Sequence, residues 1–368
     1  MAFLFEPLRL KDAVLRNRIG VPPMCQYMAQ DGLTNDWHHS HYAALARGGA
    51  ALVTVEATAV SPEGRITPAC LGLWNDAQAE SLAAIAQLIR RAGAVPGIQI
   101  GHAGRKASAH RPWEGDDHIP EGDATGWPTI SPSAIAFGAH LDRTPRAMTL
   151  ADIQRVQQDF VDAAVRVRDA GFDWLELHFA HGYLGQSFFS THANARDDAY
   201  GGSFENRSRF LVDTLRAVRR AWPERLPLTA RFGVIEYDGE DERTLAESIS
   251  LARRFKAEGL DLLSVSVGFS TPEAKVPWGP GFLGPVAARV RGEAGIPVSS
   301  AWGFENPAVA EAAIATGQLD LALVGRAHLA NPHWPYAAAR ALGIDHAARV
   351  LPAPYAHWLE RYEPRLAD

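Results

Sequence analysis

The chain has 368 residues, 47% apolar and 21% charged, with a formal net charge of −6. This is ordinary folded-protein composition, and no block of one sign suits it to nucleic acid or an anionic membrane surface. Two cysteines, Cys25 and Cys70, cannot build a disulfide framework. No run approaches the ~18 apolar residues of a spanning helix, and MAFLFEPLRLKD lacks the pattern of a signal peptide, so a soluble, cytoplasmic protein is expected.

In chain order, eight short β-type runs stand out: 18–22, 51–57, 95–101, 174–178, 228–232, 262–267, 297–301 and 321–325. Helical patterns follow most of them. In 76–92, Leu82, Ile85, Leu88 and Ile89 recur at helical spacing. Thr149-x-x-Asp152 and Thr244-x-x-Glu247 read as capping boxes, and Asn306-Pro307 and Asn331-Pro332 as cap residues followed by Pro at the first helical position. Eight β/α units without a run of consecutive strands predict an α/β protein, a closed (β/α)8 TIM barrel. The stretch 105–148 is rich in Pro, Gly, Asp and Trp without helical period, so it reads as an excursion over the barrel mouth after the third strand. Residues 351–368 form a C-terminal extension. With no linker or internal repeat, a single domain over 1–368 is expected.

Strand parity carries a second message. Successive side chains face opposite sides, and strands buried on both faces should be almost wholly apolar. Here Glu176 and His178 oppose Leu175 and Leu177, Thr229 and Arg231 oppose Leu228 and Ala230, and Gln99 opposes Ile98 and Ile100. Ser264 and Ser266, and Thr54 and Glu56, repeat the pattern. One side packs on helices and the other forms a polar lining, as expected of a barrel whose mouth holds a polar ligand.

The segment 176–210, ELHFAHGYLGQSFFSTHANARDDAYGGSFENRSRF, concentrates the chemistry. His178 faces inward at the end of its strand, while His181 has the opposite parity and sits just beyond. Two such imidazoles suit donation to one ligand oxygen, and Tyr183 carries a phenolic proton. A metal pair, or plain backbone bonding, remains open for the histidines. Arg231 is a cation inside a barrel, in need of a partner such as Glu56, Glu176 or an electron-rich ring. Gln99 offers an amide to a heterocycle edge. Gly325-Arg326 after the eighth strand and Trp302-Gly303 after the seventh lie where phosphate sites are built in these barrels. Cys25 is either an inert buried residue or a contact to a redox cofactor.

Together, PPMCQY, IGHAGRKAS, HFAHGYLGQSFFS, RDDAYGGSFENRSRF, TARFG and VGRAHLANP resemble the old yellow enzyme family of flavin-dependent ene-reductases, in its bacterial branch of xenobiotic reductases and NADPH dehydrogenases. The resemblance implies FMN at the barrel mouth, its ring near Pro23, Met24, Cys25, Ala57, Gln99, Arg231 and Trp302. Its phosphate would lie on Gly303, Gly325 and Arg326. It implies NADPH or NADH as hydride donor, and enones and nitro compounds as substrates in a ping-pong reaction. His178 and His181 would hold the substrate oxygen, Tyr183 would donate the proton, and Tyr27 and Trp302 would contact the substrate. A homodimer or homotetramer is expected, with Trp358 or Arg361 of the C-terminal segment reaching a neighbour's site or else packing on its own barrel.

Three other readings remain at this point. Another FMN barrel, of the hydroxy-acid oxidase or demethylase type, would share the phosphate site. A metal-dependent hydrolase would use His178, His181 and His102. A phosphate-binding barrel would have no redox role.

Overall fold

The computed structural model describes residues 2–362; 363–368, the end of the C-terminal extension, lie outside the described residues. Eight strands close a barrel: β1 Ile19–Val21, β2 Leu52–Ala59, β3 Val95–Gly101, β4 Trp174–Phe179, β5 Leu228–Ile235, β6 Leu262–Val267, β7 Val298–Ser300 and β8 Leu321–Leu323. Each is hydrogen-bonded in parallel to its sequence neighbour, and β8 closes on β1. This is the (β/α)8 barrel expected from the alternation of runs.

Register converts parity into an interior. Gln99 stands opposite Glu176, Glu176 opposite Thr229, and His178 opposite Arg231, so the polar positions of β3, β4 and β5 fall into line. They also touch: Gln99 Nε2 donates to Glu176 at 2.8 Å, and Trp174 Nε1 to Thr229 Oγ1 at 3.1 Å. The opposite parity packs outward, where Phe179 and Phe232 meet Phe255 of the helix Asp241–Ala257. At the N-terminal end of the barrel, the hairpin Leu8–Leu10 / Ala13–Leu15 closes the floor. Its Ala13 and Leu15 cluster with Leu52, Trp174, Leu262 and Leu321.

Three local expectations are corrected. Thr244 lies inside a helix that starts at Asp241, where Asp241 and Glu242 favour the N-terminal dipole; Glu247 pairs instead with Arg207. Asn331 caps a turn, accepting from His333 N–H, and the next helix starts at Trp334. Glu56 leaves the lining because β2 bulges between Val55 and Thr58; its carboxylate accepts from Tyr42 of the helix Asp36–Arg47. By contrast, Thr149 and Asp152 form the expected capping box, and Asn306 caps its helix with Pro307 following.

The most family-specific stretch, RDDAYGGSFENRSRF, acts as scaffold. Arg196 Nη1 donates to Pro132 and Met148 carbonyls, tying the loop to the 105–148 excursion. Arg207 is buried; it donates to the Phe189 carbonyl at 2.6 Å and forms a two-point pair with Glu247. Phe189 ends the short helix Leu184–Phe189 that follows Tyr183, so this cation fixes the far end of the chemically rich segment. Arg207→Met removes the donor to two carbonyls, Phe189 and Gly202, and to a carboxylate. It is expected to lower the unfolding free energy by about 3 kcal/mol, read in urea denaturation; a loss below about 1 kcal/mol would contradict this role.

Candidate active site

The loops after the C-terminal ends of the strands enclose a cavity of about 1350 Å³, larger than the ~300–1000 Å³ of small-ligand pockets. Pro22, Pro23 and Met24 border it after β1, Trp278 to Pro280 after β6, Trp302 and Gly303 after β7, and Gly325 and Arg326 after β8, with Arg231 and His181. A second cavity of about 510 Å³ lies beside it, lined by Lys106, Phe137, Tyr183 and Phe269 among others. Tyr27, His181 and Trp278 border both, so the two chambers meet across these side chains. Pro112 lines the first chamber, and Asp116, Phe137, His140 and Leu141 line the second. The 105–148 excursion thus contributes side chains to both chambers.

His178 and His181 converge, with ring centroids 4.9 Å apart and planes at 88°. Tyr183 stands 4.9 Å from His178. The Ala180 N–H donates to His178 Nδ1 at 3.2 Å. That nitrogen is thus an acceptor, and a neutral ring carries its proton on Nε2. Burial, then Arg231, push both histidines well below their ordinary pKa, so both are neutral at pH 7. Ser266 Oγ accepts from Trp302 Nε1 at 3.0 Å and lies 2.8 Å from His181 Nε2; with the hydroxyl proton given to that nitrogen, a neutral His181 carries its own proton on Nδ1. Nδ1 of His181 is the ring nitrogen left without a protein partner among the described residues. Burial raises the Tyr183 phenol well above 10, so it keeps its proton.

Arg231 is 6% exposed, and among the described residues its side chain has no hydrogen bond and no carboxylate within ion-pair distance. Its guanidinium lies 6.0 Å from the Trp302 ring. Glu176 favours the cation from further away, but burial raises that carboxyl to a pKa of about 7 against the opposing pull of Arg231 and the Gln99 hydrogen bond. A cation buried without a partner costs several kcal/mol, so the site is built for an electron-rich or anionic ligand beside Arg231.

FMN fits these residues. Gly303 has φ +81°, and a Cβ there would sit 2.5 Å from the Gly279 carbonyl oxygen and the Gly281 nitrogen. The backbone turn at the end of β7 thus admits glycine alone. With Gly325 and Arg326 from β8, it forms the end of the cavity suited to a phosphate, while Arg231 waits at the ring end. Of the expected cofactor residues, Pro23, Met24, Arg231, Trp302, Gly303, Gly325 and Arg326 line the chamber. Ala57 lines a small pocket beside His178 and Tyr183. Gln99 lies one layer lower, spent on Glu176. Cys25 is half-buried, its thiol raised well above 9 by burial, then by Cys70 and Glu56, and so protonated. Glu56 accepts the Gln26 N–H at 2.8 Å and thereby anchors the PPMCQY loop.

Trp278 and Phe269 had no sequence signal beyond an aromatic loop, yet they stack at 6.2 Å and border the chambers. Trp358 is 76% exposed on the helix Ala353–Leu359, and neither it nor Arg361 borders either chamber of this chain. His102, His178 and His181 form no metal-ligand set: among the described residues no group of three or more His, Cys, Asp or Glu is placed to hold a metal. No described helix is long and apolar enough to cross a membrane.

Arg231→Leu tests the fit. It is expected to weaken FMN binding tenfold or more, about 1.4 kcal/mol, in a fluorescence titration. The flavin-free variant should melt no lower than the parent, because an unpaired buried charge has been removed. An unchanged FMN affinity would contradict the assignment.

The family model described as "NADH:flavin oxidoreductase / NADH oxidase family" matches residues 3–343. An NADPH dehydrogenase of Geobacillus sp. (strain WCH70) is 40% identical over 349 residues, 94% of this chain and 96% of the relative. One of Bacillus velezensis is 36% identical over 353 residues, 95% and 97% of the two chains. Among solved structures, morphinone reductase superposes with a TM-score of 0.77 at 26% identity, covering 93% of this chain and 90% of that one. An old yellow enzyme homologue from Zymomonas mobilis does so at 0.76 and 26%, covering 90% and 91%. With the matching barrel and a mouth shaped for FMN, the chain belongs to the NADH:flavin oxidoreductase / NADH oxidase family, as an FMN-dependent NAD(P)H oxidoreductase of the old yellow enzyme type.

Proposed function

We propose that this enzyme reduces the activated C=C bond of α,β-unsaturated carbonyl or nitro compounds, with NAD(P)H as the hydride source, in two half-reactions at one site. The observation that carries the reading is the His178–His181–Tyr183 group: a neutral imidazole whose Nδ1 is already occupied, a second neutral imidazole 4.9 Å away, and a protonated phenol. Two neutral donors bind a carbonyl or nitro oxygen and stabilise the negative charge that grows on it as hydride reaches the β carbon. FMN, when bound, supplies the hydride taken from the nicotinamide.

The residues divide the work. His178 presents Nε2–H, its tautomer fixed by the Ala180 backbone. His181 presents Nδ1, with Nε2 held at Ser266. Tyr183 gives its proton to the α carbon, completing addition of hydride and proton across the double bond. Burial keeps the phenol protonated until a carbanion, a far stronger base, forms beside it. Tyr27 and Trp302 border the chamber and contact the flat substrate. Pro112 and the excursion above limit access of water. Trp358 is exposed and available to a neighbouring subunit, which agrees with a homo-oligomer in which it completes the partner's site.

His178→Ala is expected to weaken binding of a phenol such as 4-hydroxybenzaldehyde tenfold or more and to slow cyclohexenone turnover, with FMN content unchanged; if neither value moves, His178 is outside the site. Tyr183→Phe is expected to slow reoxidation by cyclohexenone at least tenfold in stopped-flow, while reduction by NADPH stays within about threefold. Equal slowing of both half-reactions would remove the proton-donor role.

A further inference from the structure

We infer that Lys106 is a positioning residue whose ammonium fixes His181 and the Phe269 loop by binding their two backbone carbonyls. Lys106 follows β3 on the turn Gly104–Lys106. Its Nζ donates to the His181 carbonyl at 2.9 Å and to the Phe269 carbonyl at 2.8 Å. These carbonyls come from loops after β4 and β6, so one side chain ties three loops of the barrel mouth together; burial, then Arg105, lowers its pKa to about 7, and both protonation forms carry the N–H groups the two bonds need.

Both acceptor residues are strained. His181 has φ +62° and Phe269 φ +49°, in the left-handed region that costs a side-chain-bearing residue about 1–3 kcal/mol. Such conformations persist where surrounding contacts over-determine them. The two carbonyl dipoles converge on one point and repel unless N–H donors lie between them. Gly182 shows how close the loops run: a Cβ there would lie 2.3 Å from the Phe269 oxygen and 2.8 Å from Nζ. The face of Phe137 covers the ammonium 3.8 Å from its centroid, adding a cation–π contact from the excursion. The neighbouring Arg105 works in parallel, donating to Ile135, Ala136 and Ser270 carbonyls.

The consequence is positional. His181 and Phe269 rings stand 5.9 Å apart, and both border the second chamber. Without the ammonium the His181 backbone is free to leave the left-handed region, which swings its imidazole out of line with His178. Lys106 is absent from the lining of the first chamber, whose Gly303, Gly325 and Arg326 lie on other loops, after β7 and β8. Loss of the clamp therefore separates ligand binding from FMN binding.

This inference rests on the proposal that His181 holds the ligand oxygen, and the experiment separates the two. In FMN-loaded protein, the Kd of 4-hydroxybenzaldehyde is measured by the change in flavin absorbance, with kcat and KM for cyclohexenone, in Lys106→Met, Lys106→Arg, Gly182→Ala and His181→Ala. Lys106→Met should raise Kd and KM tenfold or more at unchanged FMN content. Lys106→Arg, which keeps a cation and several donors, should recover most of that loss, and Gly182→Ala should reproduce it with the charge intact. Kd and KM within twofold of the parent in Lys106→Met overturn the clamp, as does equal loss in the Met and Arg variants. Should Lys106→Met fail to fold, parent-like values in Gly182→Ala overturn it alone. If His181→Ala also leaves Kd unchanged, the ligand role of His181 fails instead.

Discussion

A guanidinium buried at the C-terminal end of a barrel strand, with no carboxylate within ion-pair distance among the described residues, is the constraint on which the mouth of this protein depends. An arginine stays charged at any accessible pH, so Arg231 must be compensated by something other than deprotonation. Gln99 and Thr229, on the same polar lining, act elsewhere, on Glu176 and Trp174. Glu176 itself is buried and half-neutral near pH 7. Burial, with the field of Arg231 added to it, depresses both histidines, which keeps them neutral instead of cationic. One electrostatic arrangement thus suits both an electron-rich ring beside Arg231 and the oxygen-bearing ligand proposed for the two histidines.

The barrel supplies this arrangement through register. His178 and Arg231 are direct partners across β4 and β5, and Ser264 partners Arg231 across β6. The chemistry is consequently set by strand pairing, the most rigid part of the molecule, while His181, Tyr183, Tyr27 and Trp302 sit on the loops above. Those loops are bonded to each other: Gly281 donates to the Gly303 carbonyl, Leu184 to the His102 carbonyl, and Lys106 spans two more. A rigid floor with a cross-tied rim is how a barrel holds reacting groups to within fractions of an ångström.

Much of this was legible in the sequence because it follows from period and composition. Alternation of β and α runs predicts the barrel, and period-two parity predicts that Gln99, Glu176, His178 and Arg231 share one face. Elsewhere through-space effects decide. Glu56 keeps the right parity until a bulge turns it to Tyr42 and His38. Gln99 is on the correct face but one layer too deep to line the chamber. Thr244 resembles a cap, yet the acidic pair three residues earlier starts the helix. Lys106 lies in the IGHAGRKAS motif but its role was not legible there, nor was that of Phe269, since a lysine bound to backbone carbonyls leaves no pattern of residue types. The RDDAYGGSFENRSRF stretch, the most specific signature, is scaffold; its arginines hold the loop that presents the chemistry.

The measurement that tests the central claim most directly is an anaerobic double-mixing experiment with stoichiometric NADPH followed by cyclohexenone. The account requires bleaching of a bound FMN, full return of its absorbance on adding the enone, and one cyclohexanone formed per flavin. A flavin that bleaches but is restored only by oxygen, with the enone recovered unchanged, would contradict it.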